Sequence, residues 1–239
     1  MLFYKDISIY YGKIFPLNPV AVKFLEEEFN GKKKILDLAC GDGKYSDALL
    51  THDRDITGVD LDKGMLEEAE KKFDKRKNIK FIFGNMLELS SVFKRERFDA
   101  VFCIGNSLVH LTSTNKIKKA LRELNSVMQN NGKLVVQIIN YNRILNENIN
   151  FLPTIKNEDI EFIRNYHRHG NSRIIDFHTI LKMPDGDIES HQELYSLTKD
   201  ELIFLAEKEG FTLESVYSSF KKEEWNDQSL QSVFVFVKN

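Results

Sequence analysis

Between residues 34 and 139, short apolar runs alternate with stretches whose apolar residues recur at helical spacing, and this alternation narrows the fold more than any other feature of the chain. Lys34–Ala39 is an apolar run closed by Cys40-Gly41-Asp42-Gly43, after which Tyr45, Ala48 and Leu49 fall on one helical stripe. A strand at 55–59 leads to a helix presenting Met65, Ala69 and Phe73, then to a strand at 79–83. A strand at 98–104, a helix presenting Ile117, Leu121, Leu124 and Met128, and a strand at 133–139 complete the series. A helix between two strands carries the chain back to the end it left, so the strands run parallel and helices cover both faces of their sheet. Ahead of the series, Asn18-Pro19 opens a helix with Ala21, Phe24, Leu25 and Phe29 on its buried side.

After Ile139 the rhythm breaks. Residues 160–168, 172–183 and 188–197 read as strands joined by Gly170-Asn171 and Pro184-Asp185-Gly186-Asp187 turns, an antiparallel insertion. Thr198 and Glu201 form a capping box, Leu202, Leu205 and Ala206 make a buried stripe, and Gly210 stops that helix. The last two strands, about 212–220 and 229–237, have no helix between them and must pair antiparallel. The expected fold is α/β: a seven-stranded, mostly parallel sheet with an antiparallel C-terminal hairpin and an antiparallel β insertion after the fifth parallel strand. Only four prolines and no low-complexity linker interrupt residues 1–239, which read as one domain. Within it lie an N-terminal cap-helix region (1–30), a ligand-binding core (31–145), the insertion (150–197) and a return to the core (198–239).

Composition excludes several classes. Lys plus Arg number 34 against 36 Asp plus Glu, so the net charge of -2 offers no broad positive field to a nucleic acid or an anionic membrane. No apolar run approaches the ~20 residues that cross a bilayer, and Met1–Tyr11 lacks the apolar centre of a signal peptide. Two cysteines, Cys40 and Cys103, are too few for a disulfide scaffold. A cytoplasmic protein with reduced thiols is expected, with neither nucleic acid nor membrane as partner. His167 and His169 would point to one face of a strand, but His178 and His191 are spread along other strands without tight ligand spacing, so no metal site is expected from them.

In an open parallel sheet, ligands sit beyond the carboxyl ends of the strands. Gly41 and Gly43 occupy the first such loop, where the backbone can approach a ligand closely, and Asp60 ends the second strand, placed to accept hydrogen bonds from ribose hydroxyls. The pairing indicates a nucleoside cofactor. A nicotinamide dinucleotide is disfavoured, because the third glycine of G-x-G-x-x-G is Ser46 here.

Ile35-Leu-Asp-Leu-Ala-Cys-Gly-Asp-Gly43, Val59-Asp60-Leu61, Gly84-Asn85-Met86 and Phe98-Asp-Ala-Val-Phe-Cys103 resemble, in order and spacing, the motifs of class I S-adenosylmethionine-dependent methyltransferases. The resemblance implies a Rossmann-like sheet and S-adenosylmethionine as cofactor, with S-adenosylhomocysteine as product. It places Asp37, Ala39, Gly41 and Gly43 at the methionine end, with Asp37 reaching the ammonium. Asp60 would hold the ribose, Leu61 cover the adenine, Asn85 accept the adenine amino hydrogen, and Met86 offer a backbone donor and an apolar contact. The carbonyl of Cys103 would meet the ammonium, and Tyr4, Tyr10 and Tyr11 would close over the cofactor. With the first and fourth strands adjacent in that family, Cys40 and Cys103 are expected to lie close together and to make activity sensitive to oxidants.

The segments after the fourth and fifth strands, Ile104-Gly-Asn-Ser-Leu-Val-His-Leu111 and Asn140-Tyr-Asn-Arg-Ile-Leu145, resemble those of glycine and sarcosine N-methyltransferases, with Asn106, His110, Asn140 and Tyr141 matching. That likeness implies a small-molecule amine acceptor, touched by Asn106, His110, Ile139, Asn140 and Tyr141. Asn106 and Tyr141 would orient it and His110 collect the proton. Where those enzymes carry a carboxylate-binding arginine, this chain has Ile139, leaving Arg143 and Arg173 as substitutes. No Pro-Pro-aromatic segment is present to clamp an extruded base. An O- or C-methyltransferase acting on an aromatic or isoprenoid molecule, or a cofactor-binding module without catalysis, is the alternative. The insertion is expected to serve as a substrate lid or as a homo-oligomer contact.

Overall fold

The alternation folds into a seven-stranded sheet in the computed structural model, which describes residues 10–73 and 75–239. Strands β1 (Lys34–Leu38), β2 (Asp55–Asp60), β3 (Ile79–Phe83), β4 (Phe98–Cys103) and β5 (Met128–Ile139) run parallel. The inserted strands are β6 (Phe151–Lys156), β7 (Glu161–Arg168), β8 (Ile174–Lys182) and β9 (Ile188–Tyr195), and the terminal pair is β10 (Phe211–Tyr217) and β11 (Gln231–Lys238). The large sheet has the order β10-β11-β5-β4-β1-β2-β3, with β11 antiparallel to both of its neighbours. The chain moves outward from β1 to β3 and restarts at β4 on the other side of β1. The loops leaving β1 and β4 therefore diverge and open a crevice at the switch point.

The central strands are apolar without alternation because both their faces are covered: β1 is buried at every position after Lys34. Helix α1 (Pro19–Glu28) lays Phe24 and Leu25 on one face beside Ile35, Phe102 and Val235. Asn18 caps it as expected, its side chain accepting from the N–H groups of Val20 and Ala21 at 3.0 and 3.4 Å. Helix α2 (Lys44–Ala48) follows β1 and α3 (Lys63–Phe73) follows β2. The short α4 (Leu89–Val92), which periodicity over so few residues cannot announce, follows β3. On the opposite face, α5 (Thr114–Val127) buries Leu121 and Leu124 near Leu202 of α7 (Lys199–Lys208); between them in sequence, α6 (Tyr141–Asn146) follows β5.

Several expected boundaries differ. The chain enters β5 at Met128, directly from α5, and Asn131 adopts a left-handed φ of 60° where the register with β4 shifts. The box of Thr198 and Glu201 does not form: the Thr198 side chain makes no cap bond, while the Glu201 carboxylate accepts the Tyr195 hydroxyl at 2.8 Å and pairs with Arg173. A guanidinium outcompetes a neutral backbone N–H for that carboxylate. The insertion gains β6, a strand not anticipated, and forms a separate antiparallel sheet of order β6-β7-β8-β9. One face of it carries the buried Phe162, Tyr166, Ile175, Leu181 and Leu194 toward the body of the protein, and the other carries His167, Asp176, His178, Glu189 and His191 outward. Among the described residues no helix is long and apolar enough to cross a membrane.

Candidate functional site

The crevice floor is the turn from β1 to α2, where Ala39, Gly41 and Gly43 all have left-handed φ values, 61°, 56° and 73°. At Ala39 this conformation costs roughly 1–2 kcal/mol, because its Cβ crowds the following carbonyl. The turn is held from β2: Asp60 Oδ2 accepts the Gly41 N–H at 2.8 Å and Oδ1 accepts the Asp62 N–H at 2.8 Å. One carboxylate thus locks two loops and keeps further lone pairs for the crevice. Burial raises its pKa against the pull of those N–H donors. Gly41 faces the crevice. Gly43 does not: a Cβ there would come within 2.5 Å of the Phe81 ring, so this glycine lets α2 close onto β3.

Two lobes meet in the crevice. The narrower, about 120 Å3, lies over Asp60, Leu61, Gly84, Asn85 and Met86. Leu61 is 44% exposed there. Asn85 Oδ1 accepts the Leu87 N–H at 3.0 Å, which orients the amide and leaves its second lone pair available.

The wider lobe, about 410 Å3, extends under the inserted sheet. Asp37 lies at its inner end, where burial and the nearby Asp60 and Asp42 carboxylates drive its pKa up to about 7 against the Ser46 hydrogen bond. Ser46 Oγ donates to Asp37 Oδ2 at 2.7 Å, the one hydrogen bond to this side chain among the described residues. Tyr11, Ala39, Gly105 and His110 line both lobes. Burial lowers the His110 pKa to about 4, so the imidazole is neutral at pH 7.

Tyr11, Asp37, Ala39, Gly41, Asp60, Leu61, Asn85, Met86, Asn106, His110 and Ile139, picked out in the sequence, all line one lobe or both. Gly43, Cys103, Asn140 and Tyr141 do not. Asn140 Nδ2 donates to the carbonyls of Asp227 and Ser229 at 3.2 and 2.9 Å while Oδ1 accepts the Arg143 N–H, so this side chain fastens the end of β5 to the loop before β11. Tyr141 is fully buried, and its hydroxyl accepts from Asn106 Nδ2 at 3.1 Å. Asn106 Oδ1 in turn accepts the Ile139 N–H at 2.9 Å. Tyr4 lies outside the described residues. Burial raises Cys103 to about 12 and Cys40 well above its ordinary value, so little thiolate is present and the expected oxidant sensitivity loses its basis.

Neither substitute arginine enters the crevice: Arg143 pairs with Glu147 at 3.2 Å, and Arg173 is held by Ser196 and Glu201. Arg164 of β7 enters instead, into a wall formed by Phe15, Phe162, Phe177, Leu152 and Leu194. Its Nη2 donates to the Pro153 carbonyl, and its Nε is buried without a hydrogen-bond partner. Gln137 Oε1 accepts the Gly105 N–H at 2.7 Å and shapes the junction. Ser46, Gln137 and Arg164 were missed because each stands singly in an element whose pattern reads as packing.

A family model described as a methyltransferase domain matches residues 35–132. The chain is 29% identical over 204 residues to a glycine/sarcosine N-methyltransferase from Aphanothece halophytica, covering 84% of this chain and 74% of that protein. It is 29% identical over 136 residues to a ubiquinone biosynthesis O-methyltransferase from Coxiella burnetii, 55% of this chain and 56% of that one. Among solved structures, an S-adenosylmethionine-dependent methyltransferase from Clostridium acetobutylicum ATCC 824 superposes with a TM-score of 0.84 over 99% of each chain at 15% identity, a likeness of fold.

Proposed function

Because the chain belongs to the class I S-adenosylmethionine-dependent methyltransferases, we propose that its crevice directs the methyl group to the nitrogen of a small-molecule amine. The residues present fit the cofactor. Asp60 has lone pairs left for ribose hydroxyls, Leu61 has an exposed face for the adenine, and Asn85 an oxygen for its amino group. Asp37 is a buried carboxylate lacking a cation in hydrogen-bond contact among the described residues, which suits the ammonium of the methionine end. Asp60→Ala is expected to weaken binding of S-adenosylhomocysteine by ~1–3 kcal/mol, the range for leaving buried polar groups unpaired. Calorimetry showing full affinity would refute this role.

Bound there, the cofactor supplies a methyl group on a sulfonium, an electrophile that a neutral amine attacks without being ionised first. The residues common to both lobes fix where the reacting atoms meet, and alignment is the protein's main contribution. Ala39 and Gly105 keep that junction open. Asn106, with both ends of its amide engaged by Ile139 and Tyr141, acts as a positioning residue that clips the segment 105–110 onto β5.

His110 carries the preference for nitrogen. An imidazole held at about 4 lies some six units below a phenol, whose pKa is about 10, and is a poor base for one. A free amine requires no such base, and a neutral imidazole beside the sulfonium adds no like charge. The relationship to a glycine/sarcosine N-methyltransferase along most of the chain points the same way. With the cofactor held saturating, kcat/KM for the acceptor is expected to rise about tenfold per pH unit up to the pKa of the acceptor ammonium, with no break near the ordinary histidine value of about 6.5. Turnover of phenols but of no amine in an acceptor screen with labelled cofactor would defeat the nitrogen reading.

The wide lobe describes the acceptor further. Its aromatic and aliphatic wall suits an apolar body, and the single guanidinium of Arg164 suits an anionic group at the far end. The acceptor is thus an apolar amine carrying a carboxylate or similar anion, larger than glycine.

A further inference from the structure

The inserted sheet turns a second face outward, away from the acceptor chamber, and a different chemistry gathers there. His178 and His191 stand directly opposite one another in the β8–β9 register. Their rings stack with centroids 4.5 Å apart and planes 14° apart. Glu189, two residues before His191 on the same face, places Oε1 at 2.6 Å from His178 Nε2 and 4.0 Å from His191 Nε2. Ligand-type atoms from all three side chains lie within 4.8 Å of one another. We infer that His178, Glu189 and His191 bind one divalent transition-metal ion, of the zinc class.

A fourth side chain supports this independently. Asp176 approaches His191 Nδ1 with Oδ1 at 3.1 Å and Oδ2 at 3.0 Å. A carboxylate accepts hydrogen bonds and does not donate them, so His191 Nδ1 carries the hydrogen and its Nε2 keeps its lone pair on the side of Glu189. By the same rule His178 Nε2 donates to Glu189 in the empty site, and an ion binding there takes the place of that hydrogen, which moves to Nδ1 or to water. A carboxylate behind the remote nitrogen of an imidazole is the arrangement that fixes ring orientation and strengthens a metal-binding histidine. Two imidazoles and one carboxylate select a borderline cation over calcium or magnesium, which prefer all-oxygen sites. Ligand atoms at zinc distances of about 2.0–2.1 Å stand roughly 3.3 Å apart. Around an ion the Glu189–His191 pair at 4.0 Å therefore closes by about 0.7 Å and the widest pair by at most about 1.5 Å, while the His178–Glu189 pair at 2.6 Å opens by about 0.7 Å, all within reach of side-chain torsions on a strand face. The sequence spacing hides the site because pairing of β8 with β9, rather than distance along the chain, brings the two histidines together.

An ion there would cross-link β8 to β9, whose inner face supplies Phe177 and Leu194 to the acceptor chamber. Occupancy would stiffen the chamber wall without entering the transfer chemistry. The test uses untagged, chelator-treated protein titrated with zinc chloride by calorimetry, with the melting temperature followed in parallel. Saturable binding of one equivalent and a rise in melting temperature are expected. His178→Ala and His191→Ala should each abolish that binding, and Asp176→Asn should weaken it by about 10–100-fold. Circular dichroism and cofactor binding unchanged in the three variants would exclude misfolding. Absence of a one-equivalent site, or a site that persists in the His178→Ala/His191→Ala double variant, overturns the inference.

Discussion

Asp37→Asn is expected to raise the melting temperature of the cofactor-free protein at pH 8 while weakening cofactor binding by about a hundredfold or more. The two effects have one origin. The Asp37 carboxyl is 3% exposed, and its pKa is raised from 3.8 to about 7. A group raised on folding contributes stability that is fully present below its unfolded pKa and is lost as the pH rises through the folded one. At pH 8 the cofactor-free protein therefore carries the whole penalty of an ionised, buried carboxylate. Three units correspond to roughly 4 kcal/mol as an upper bound, and relaxation around the charge brings the expected value to the order of 2–4 kcal/mol. For a chain of this size that is about 4–16 °C. Asparagine keeps an oxygen to accept from Ser46 and removes the charge. His110, lowered from 6.5 to about 4, shifts stability the opposite way: its contribution is present above 6.5 and lost as pH falls through 4. The difference between variant and wild type isolates Asp37 from that trend. Scanning calorimetry from pH 5 to 9 and titration with S-adenosylhomocysteine check both effects, and the wild-type affinity should fall below pH 7 where the variant's does not. A variant that melts with the wild type at pH 8 and binds the product at full strength would remove Asp37 from the electrostatics of the site.

The parallel core was legible because its signals are local. β1 ends in a turn with two glycines, β2 ends in Asp60, and both strands are apolar because both faces are covered. The cap at Asn18 is likewise decided within four residues. What escaped depends on partners far along the chain. β6 alternates weakly and contains Pro153, and becomes a strand only because β7 pairs with it. Asn140 and Tyr141 were assigned to the site from their loop, yet their side chains turn away from the crevice, one fastening the loop before β11 and the other buried against Asn106. Arg164 escaped for a different reason: a lone charge in a strand reads as its solvent face, and only the covering sheet shows that its neighbours on that face, Phe162 and Tyr166, are buried.

Arg164→Leu is expected to lower kcat/KM by about 10²–10³-fold for an apolar amine bearing a carboxylate, and far less for the same amine without it. The guanidinium is desolvated enough that burial lowers its pKa, and its Nε is a buried donor without a partner. Such a donor costs about 1–3 kcal/mol, a penalty that a bound carboxylate removes by accepting from the fork in a planar, two-point contact. Glycine/sarcosine-type sites, by the resemblance in the sequence, place an arginine where this chain has Ile139. Here the cation comes from the inserted sheet, which is the basis for proposing an acceptor longer than glycine. Arg164→Lys keeps the charge without the planar fork and should fall between wild type and Arg164→Leu. Because the substitution to leucine removes a buried cation from an apolar wall, the melting temperature should hold or rise. The informative quantity is the ratio of kcat/KM for the carboxylated and decarboxylated amines, which should drop by the same 10²–10³-fold in Arg164→Leu. Equal losses on both acceptors together with a lower melting temperature would mean that Arg164 only braces β7 against β6, and the anionic acceptor would have to be abandoned.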